Sequence, residues 1–352
     1  VDGGLLHWGL GLISQLPPSD AREFAYQRWS EGARDRTGVV THAEIARLPE
    51  DLRVREGRRH LYDVVALRTT PETRVGYARF VPWHEAESAV REMLGHPEGA
   101  MRAVALDTLF ACAGLRPDEP DLADRCLALV LDRKHEQDPV RGRMIAALNA
   151  WPRRIWRSEH TAALGQMVRD ALDASDCSVG TAAALESLIA RRFHLDPAWA
   201  AGWLSTLVKE RGRIHDPAFA RHLSDDDLRA AAPALMEVAT AWAARERGLP
   251  LLQLARGVGA RMALVPGLGD LVAGLLADNT WEYLAREAAS VLQQFDRARL
   301  VPLLGGLVRG WIKQGWVHTV VHLAASDPAS PLHPELGEAL DRLARGPRLP
   351  GD

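Results

Sequence analysis

A motif recurring every 39 residues constrains the fold of this 352-residue chain more than any other feature. Met101-Arg102, Val140-Arg141 and Val179-Gly180 stand at that interval. Four residues on from the start of each lie Ala105, Met144 and Ala183, and eight on lie Leu109, Leu148 and Ser187, with Leu188 beside the last. Upstream, on the same spacing, are Val90, Leu129 and Val168. Small and apolar residues at i, i+4 and i+8 line one face of a helix. Each copy therefore reads as helix, short turn, helix, with turns at His96-Pro97-Glu98, Gln137-Asp138-Pro139 and Asp176-Cys177-Ser178. A single helical hairpin cannot hide its own apolar face. Stacking the next hairpin on it does, so the pattern predicts a row of hairpins with one continuous core. A fourth copy, Leu284, Ala288, Val291 and Leu292, follows at a different interval.

The rest of the chain is also written for helices. Alternating Val/Ile/Thr runs closed by Asn-Gly turns, the marks of strands and hairpins, are nearly absent. Asp20-Ala-Arg-Glu23, Thr41-His-Ala-Glu44 and Ser224-Asp-Asp-Asp227 each place a side-chain acceptor three residues before a carboxylate, the reciprocal cap of a helix start. Thr70-Pro71 and Val81-Pro82 place Pro at a first helical position, where its missing N–H costs nothing. Pro17-Pro18 and Gly114 stand where helices should stop. Residues 31–60 carry mixed charge with Gly32, Gly38 and Gly57, which suggests a long inter-hairpin connection or a short-helix insertion, and a solvated loop is the expectation. Leu5, Leu6, Trp8, Leu10, Leu12 and Ile13 crowd one short N-terminal helix, and Pro334 to Ala344 reads as a last amphipathic helix.

A Pro- or Asp-containing turn followed by V-R-x-x-A-x-x-A-L resembles the second helix of a HEAT repeat. Met101-Arg102-Ala-Val-Ala105-Leu-Asp-Thr108-Leu109 fits with Thr in one Ala slot, and Val140-Arg141-Gly-Arg-Met144-Ile-Ala-Ala147-Leu148 fits with Met in the other. The match covers residues 83–190 and again 267–325, and the layout is also similar to large HEAT-like proteins of actinobacteria, a likeness that brings no activity with it. The resemblance implies an all-α fold, an α-α superhelix or HEAT-like solenoid of about eight hairpins at about 40 residues each. The expected organisation is an irregular helical region over 1–82, regular repeats over 83–190, and further repeats with a capping helix over 191–352.

Composition narrows the function classes. With 43 basic and 46 acidic residues the formal net charge is −3, which excludes a globally basic nucleic-acid coat and an acidic tail protein. Arginine outnumbers lysine 40 to 3, a bias that spreads guanidinium groups over ordinary solvated faces. Eleven Trp against 4 Tyr and 6 Phe favour packing or partner contact. Cys112, Cys126 and Cys177 form neither a C-x-x-C pair nor a disulfide framework, so no structural metal and no cofactor is expected. No stretch approaches 18 uninterrupted apolar residues, and the start lacks a basic region before an apolar run. A cytoplasmic protein that does not cross a membrane is the expectation.

The densest basic and aromatic cluster is Trp151-Pro-Arg153-Arg154-Ile-Trp156-Arg157, with Arg191-Arg192 one repeat later. Three guanidiniums beside two indoles suit phosphates, stacked bases or an acidic peptide. The competing reading makes the segment an inter-repeat link, its rings in the core and its arginine heads snorkelling outward. His318-Thr-Val-Val-His322 sets two imidazoles on one helix face, but the general-base carboxylate of the zinc-protease motif and a third ligand are absent, so no metal is assigned. Gly257, Gly259, Gly267 and Gly269 lack the strand, the third glycine and the Gly-Lys-Ser/Thr of nucleotide loops, and read as turns or close helix contacts. Asp225-Asp226-Asp227 is explained by a helix start. No catalytic residue is assigned.

Two functions follow as expectations. The first is a non-catalytic scaffold that binds a protein partner through the concave face of the solenoid and takes no small-molecule substrate. The second is a nucleic-acid-binding protein. Some DNA glycosylases that excise alkylated bases are built from HEAT-like repeats with Trp, Arg and a carboxylate on the concave face, though no Asp here aligns to that role.

Overall fold

The computed structural model describes residues 10–11, 13–212, 214–216, 218–244, 248–277 and 281–325, together with 337, 341 and 344. The fold is all-α; no strand occurs among the described residues. The C-terminal helix expected over 334–344 and most of the N-terminal apolar run lie outside the described residues, although Leu10 and Ile13 of that run are buried. The chain divides into two compact units, 1–188 and 189–352. Residues 1–82 thus share a unit with the three 39-residue copies.

In the first unit α1 (Asp20–Ala33), α2 (His42–Ile45), α3 (Glu50–Arg58) and α4 (Pro71–Gly76) lead into three hairpins. These are α5 (Trp83–Leu94) with α6 (Gly99–Gly114), α7 (Asp121–Asp132) with α8 (Asp138–Asn149), and α9 (His160–Asp173) with α10 (Val179–Ala190). Helix starts follow the cap chemistry. Thr41 and Glu44 form the reciprocal cap of α2, Ser224 Oγ accepts from the Asp227 N–H, and Pro71 opens α4. Two expected starts shift by one residue. The α1 cap is Ser19, whose hydroxyl accepts from the Arg22 N–H, and Pro82 precedes rather than begins α5.

The 39-residue interval has a direct structural cause. Helices α6 and α8 run parallel, Gly99 against Val140 at one end and Gly114 against Trp151 at the other. Equivalent positions are equivalently buried: Ala105 and Met144, Leu106 and Ile145, Leu109 and Leu148 are each at most 2% exposed. A polar ladder holds the turns in step. The Arg102 guanidinium donates to its own turn at His96 O (2.8 Å) and Pro97 O (2.9 Å), and reaches the next turn at Glu136 (2.7 Å). One repeat later Arg141 donates to Glu136 O at 2.5 Å and pairs with Asp176, while the Asp138 carboxylate accepts from the Ser178 N–H at 3.0 Å. Gly180 occupies the third position, and the ladder ends with it.

The third copy departs from the expected register. Ala183 is half-buried, Ser187 and Val179 are exposed, and the buried set is Thr181, Leu185, Leu188 and Ile189. These match Val140, Met144, Ala147 and Leu148 at an interval of 41, two residues more than the sequence repeat. The upstream Leu129 is likewise displaced, and Val130 takes the core position.

The segment 31–60 takes the short-helix alternative rather than the expected solvated loop. It folds into α2 and α3, which continue through a π-turn at Arg59–Asp63, and it buries Glu56 and His60 completely. Glu56 pairs with Arg34 (3.2 Å) and Arg59 (2.7 Å) and accepts from the Tyr26 hydroxyl. Val40 N–H donates to His60 Nε2 at 2.8 Å, so the proton lies on Nδ1, which faces the Glu56 carbonyl at 2.7 Å. Compensated charge is what permits a carboxylate and an imidazole in this core. The mixed charge that suggested a loop is the price of that network.

The second unit contains α11 (Pro197–Arg211), α12 (Asp225–Ala244), α13 (Gly248–Val258), α14 (Leu268–Ala277), α15 (Glu282–Phe295), α16 (Arg297–Gln314) and α17 (Val317–Ala325). Helices α13 and α15 run parallel, Gly248 against Leu284 and Gly259 against Phe295, both 36 residues apart. Helix α17 continues the layer, Thr319 donating to Glu282 at 2.6 Å and Gln293 reaching Leu323 O at 3.5 Å. The shorter interval explains why the fourth copy is out of step with the first three. Its core residues Ala288, Val291 and Leu292 lie on the buried face of α15.

Candidate functional site

The basic and aromatic cluster at 151–157 separates into two layers. Pro152 ends the turn after α8, and Arg153–Ile155 form a single 3₁₀ turn that links to α9. This short turn directs Trp151, Ile155 and Trp156 inward, where they are 4%, 8% and 5% exposed. Trp151 Nε1 donates to Phe110 O at 2.7 Å, and its ring lies 5.1 Å from that of Trp156. The Trp156 ring meets His160 edge-on at 5.8 Å. Both indoles are thus packing residues, and neither offers a face to a base or a ligand.

The arginines point outward. Arg153 and Arg154 are exposed, and neither has an ion-pair partner among the described residues. Arg157 is half-buried and committed, donating to Glu159 at 2.6 Å and to Asp124 at 3.1 Å. His160 Nε2 lies 3.2 Å from the same Asp124, and burial, then the Arg157 charge, holds the imidazole pKa below its usual value. Of the expected site at 151–157, only Arg153 and Arg154 remain as surface groups. Arg191 and Arg192, in the second unit, differ from each other. Arg191 is exposed, whereas Arg192 is 2% exposed, and burial with the neighbouring Arg191 charge lowers its pKa to about 9. A guanidinium so enclosed is unsuited to contact a partner.

His318 and His322 are exposed, and no group of three metal-ligating side chains occurs among the described residues. Gly259 and Gly267 have φ of 61° and 94°, the left-handed backbone of turns. A Cβ on Gly257 would stand 2.7 Å from Ala218 O, so its hydrogen permits a close contact. No helix among the described residues is long and apolar enough to cross a membrane.

Two open clefts line the units. One, of about 450 Å³, lies in the first unit between the turn after α7 and the end of α9, and includes the ladder residues Glu136, Arg141 and Asp176. Several of its carboxylates are engaged: Arg133 pairs with Glu136, Arg169 with Asp173 and Arg141 with Asp176. The other, of about 280 Å³, lies in the second unit between α15 and α17. Arg286, Ser290, Gln293 and Gln294 line it from α15, and Thr319 and His322 from α17. At the start of α15 Trp281 and Tyr283 are 68% and 51% exposed, and the Arg286 guanidinium stands 5.3 Å from the Tyr283 ring centre and 3.8 Å from Glu287. Sequence reading missed this groove. The available signal was the spacing 286, 290, 293, 294, which sets four polar residues on one face of α15.

No family model, curated protein or solved structure matches the chain.

Proposed function

We propose that this chain is a non-catalytic, HEAT-like α-solenoid scaffold of the cytoplasm that binds a protein partner. What supports the stacked-hairpin reading is the ladder of Arg102 and Arg141, together with helices that run parallel at repeat intervals within each unit. The observation that carries the binding reading is the pair of exposed guanidiniums at Arg153 and Arg154, without an ion-pair partner among the described residues and raised on a buried aromatic base. Arginine forks recognise carboxylates bidentately, so an acidic surface of a protein is the partner chemistry this pair suits. A nucleic-acid partner, alkylated-base excision included, is the weaker reading. Its stacking contacts would come from Trp151 and Trp156, and those rings are in the core.

Charge reversal tests the choice. A protein partner that co-purifies with the wild-type chain should be lost with R153E/R154E, while single-stranded and duplex oligonucleotides should not bind either protein at micromolar concentration in low salt. Retention of the partner by the variant, or oligonucleotide binding that the variant abolishes, overturns the reading.

A further inference from the structure

We infer that the cleft between the turn after α7 and the end of α9 is a binding site for a small zwitterion, an α-amino acid with a short apolar side chain. The inference goes beyond the scaffold reading and does not rest on it. The open cleft of about 450 Å³ is joined by a recess of about 10 Å³, and Lys134, Arg141 and Asp170 line both. These three residues therefore stand on the border between the two. Val130, Met144, Ile145, Met167 and Ala171, all buried, form the apolar part of the recess. A hollow of that size and lining takes one methyl-sized group and offers a water molecule few partners.

Most charges around the cleft are committed. Glu136 accepts from Arg102 and Arg133, Asp176 pairs with Arg141, and Asp173 pairs with Arg169. Two charges of opposite sign on the border are not. Lys134, just past the end of α7, is exposed and has no side-chain hydrogen bond or ion pair among the described residues. Asp170, in the last turn of α9, is half-buried; its Oδ1 accepts from Gln166 at 2.8 Å, and its Oδ2 has no partner among the described residues. The two line one recess, yet no ion pair joins them. Opposite charges that share a hollow without meeting suit a molecule that carries both signs. Arg141 adds a third contact. It is 6% exposed, and its Nε–H is buried without a hydrogen-bond partner, a costly state that a carboxylate on the border relieves. The occupant's carboxylate thus pairs with Lys134 and Arg141, its ammonium with Asp170, and its side chain enters the recess.

Saturation-transfer difference NMR with the full chain tests the inference, using L-alanine, glycine, L-leucine, propionate and ethylamine as probes. L-alanine should bind saturably, with the strongest transfer at its methyl protons. Glycine, one methyl shorter, should bind about fourfold more weakly. Propionate and ethylamine, with one charge each, should bind about tenfold more weakly or worse, and so should leucine, whose side chain exceeds the recess. D170N and K134Q should each weaken L-alanine about threefold to tenfold, and D170N should leave propionate unaffected. Unchanged helical circular dichroism establishes that both variants fold. Absence of saturable L-alanine binding overturns the assignment, as does propionate or ethylamine binding as tightly as L-alanine, or L-alanine binding that survives both substitutions. Tighter binding of an end-blocked Lys-Ala-Glu tripeptide than of free L-alanine overturns it too, and makes the cleft a contact for a partner chain.

Discussion

The layered cluster at 151–157 makes stability and binding separable by substitution, and Trp151→Phe set against Arg153→Ala/Arg154→Ala is the sharpest way to show it. Trp151 is 4% exposed, its Nε1 donates to Phe110 O at 2.7 Å, and its ring packs on Trp156 and on the Gly114 backbone. Phe keeps most of the apolar contact but forfeits the hydrogen bond, worth about 1 kcal/mol net. The smaller ring leaves a void that costs roughly another 1 kcal/mol. The expected loss is about 2 kcal/mol, against roughly 3–5 kcal/mol for Trp151→Ala. The double arginine variant removes two exposed groups without ion-pair partners among the described residues and should change stability by less than about 0.5 kcal/mol. Urea unfolding followed by circular dichroism measures both, with the first unit's transition fitted apart from the second because two compact units need not unfold together. Partner binding should show the reverse ranking. Trp151→Phe binds as wild type below its unfolding transition, and the arginine variant does not. A Trp151→Phe protein of wild-type stability that has lost its partner would mean that the indole meets the partner, and the layered account would fail.

Three further outcomes follow from other positions. A Cβ on Gly114 would stand 2.8 Å from Trp151 Cδ1, so Gly114→Ala should cost about 1–3 kcal/mol and be partly rescued by Trp151→Phe, a coupling that a double-mutant cycle in urea reads directly. His42 packs edge-on to Tyr77, 4.4 Å between ring centres, and burial, then the Arg79 charge, lowers its pKa to about 4. The unfolded chain therefore takes up a proton near pH 6.5 that the folded chain refuses, so this stability is whole above that pH and is lost as pH falls toward about 4. For a partly exposed ring the loss is about 2–3 kcal/mol, and Tm measured across that window should flatten in His42→Phe, whose ring needs no partner for the buried Nε2. Glu56→Gln leaves the exposed Arg34 and half-buried Arg59 facing a neutral amide, and should destabilise the first unit by roughly 1–3 kcal/mol in chemical denaturation.

The sequence made the repeat legible because two of its layers, core and ladder, obey the same interval. Ala105 and Met144 had to be buried and Arg102 and Arg141 had to meet the next turn, so apolar and charged residues recur together. Where the ladder residue is lost, at Gly180, only the apolar layer remains to set the register, and it slips from 39 to 41. Residues 31–60 misled for a related reason. Charge density predicts solvation only when charges do not face one another, and nothing in the spacing of Tyr26, Arg34 and Glu56 announces that α1 and its C-cap come to meet a carboxylate of α3.

The same limit governs the candidate sites. At 151–157 the choice between clamp and link depended on which way each side chain turned, and a 3₁₀ turn of three residues decided it. For the groove of α15 and α17 the helix face is written in the sequence, but the absence of a carboxylate from its lining is not. Glu282 and Glu287 lie on the same helix as Arg286, and sequence alone counts them against a cationic surface. In the folded unit Thr319 and Arg256, 37 and 31 residues away along the chain, hold them, and Glu287 still stands 3.8 Å from Arg286. Charge complementarity is therefore a property of the folded unit, set by which acids their neighbours have already engaged.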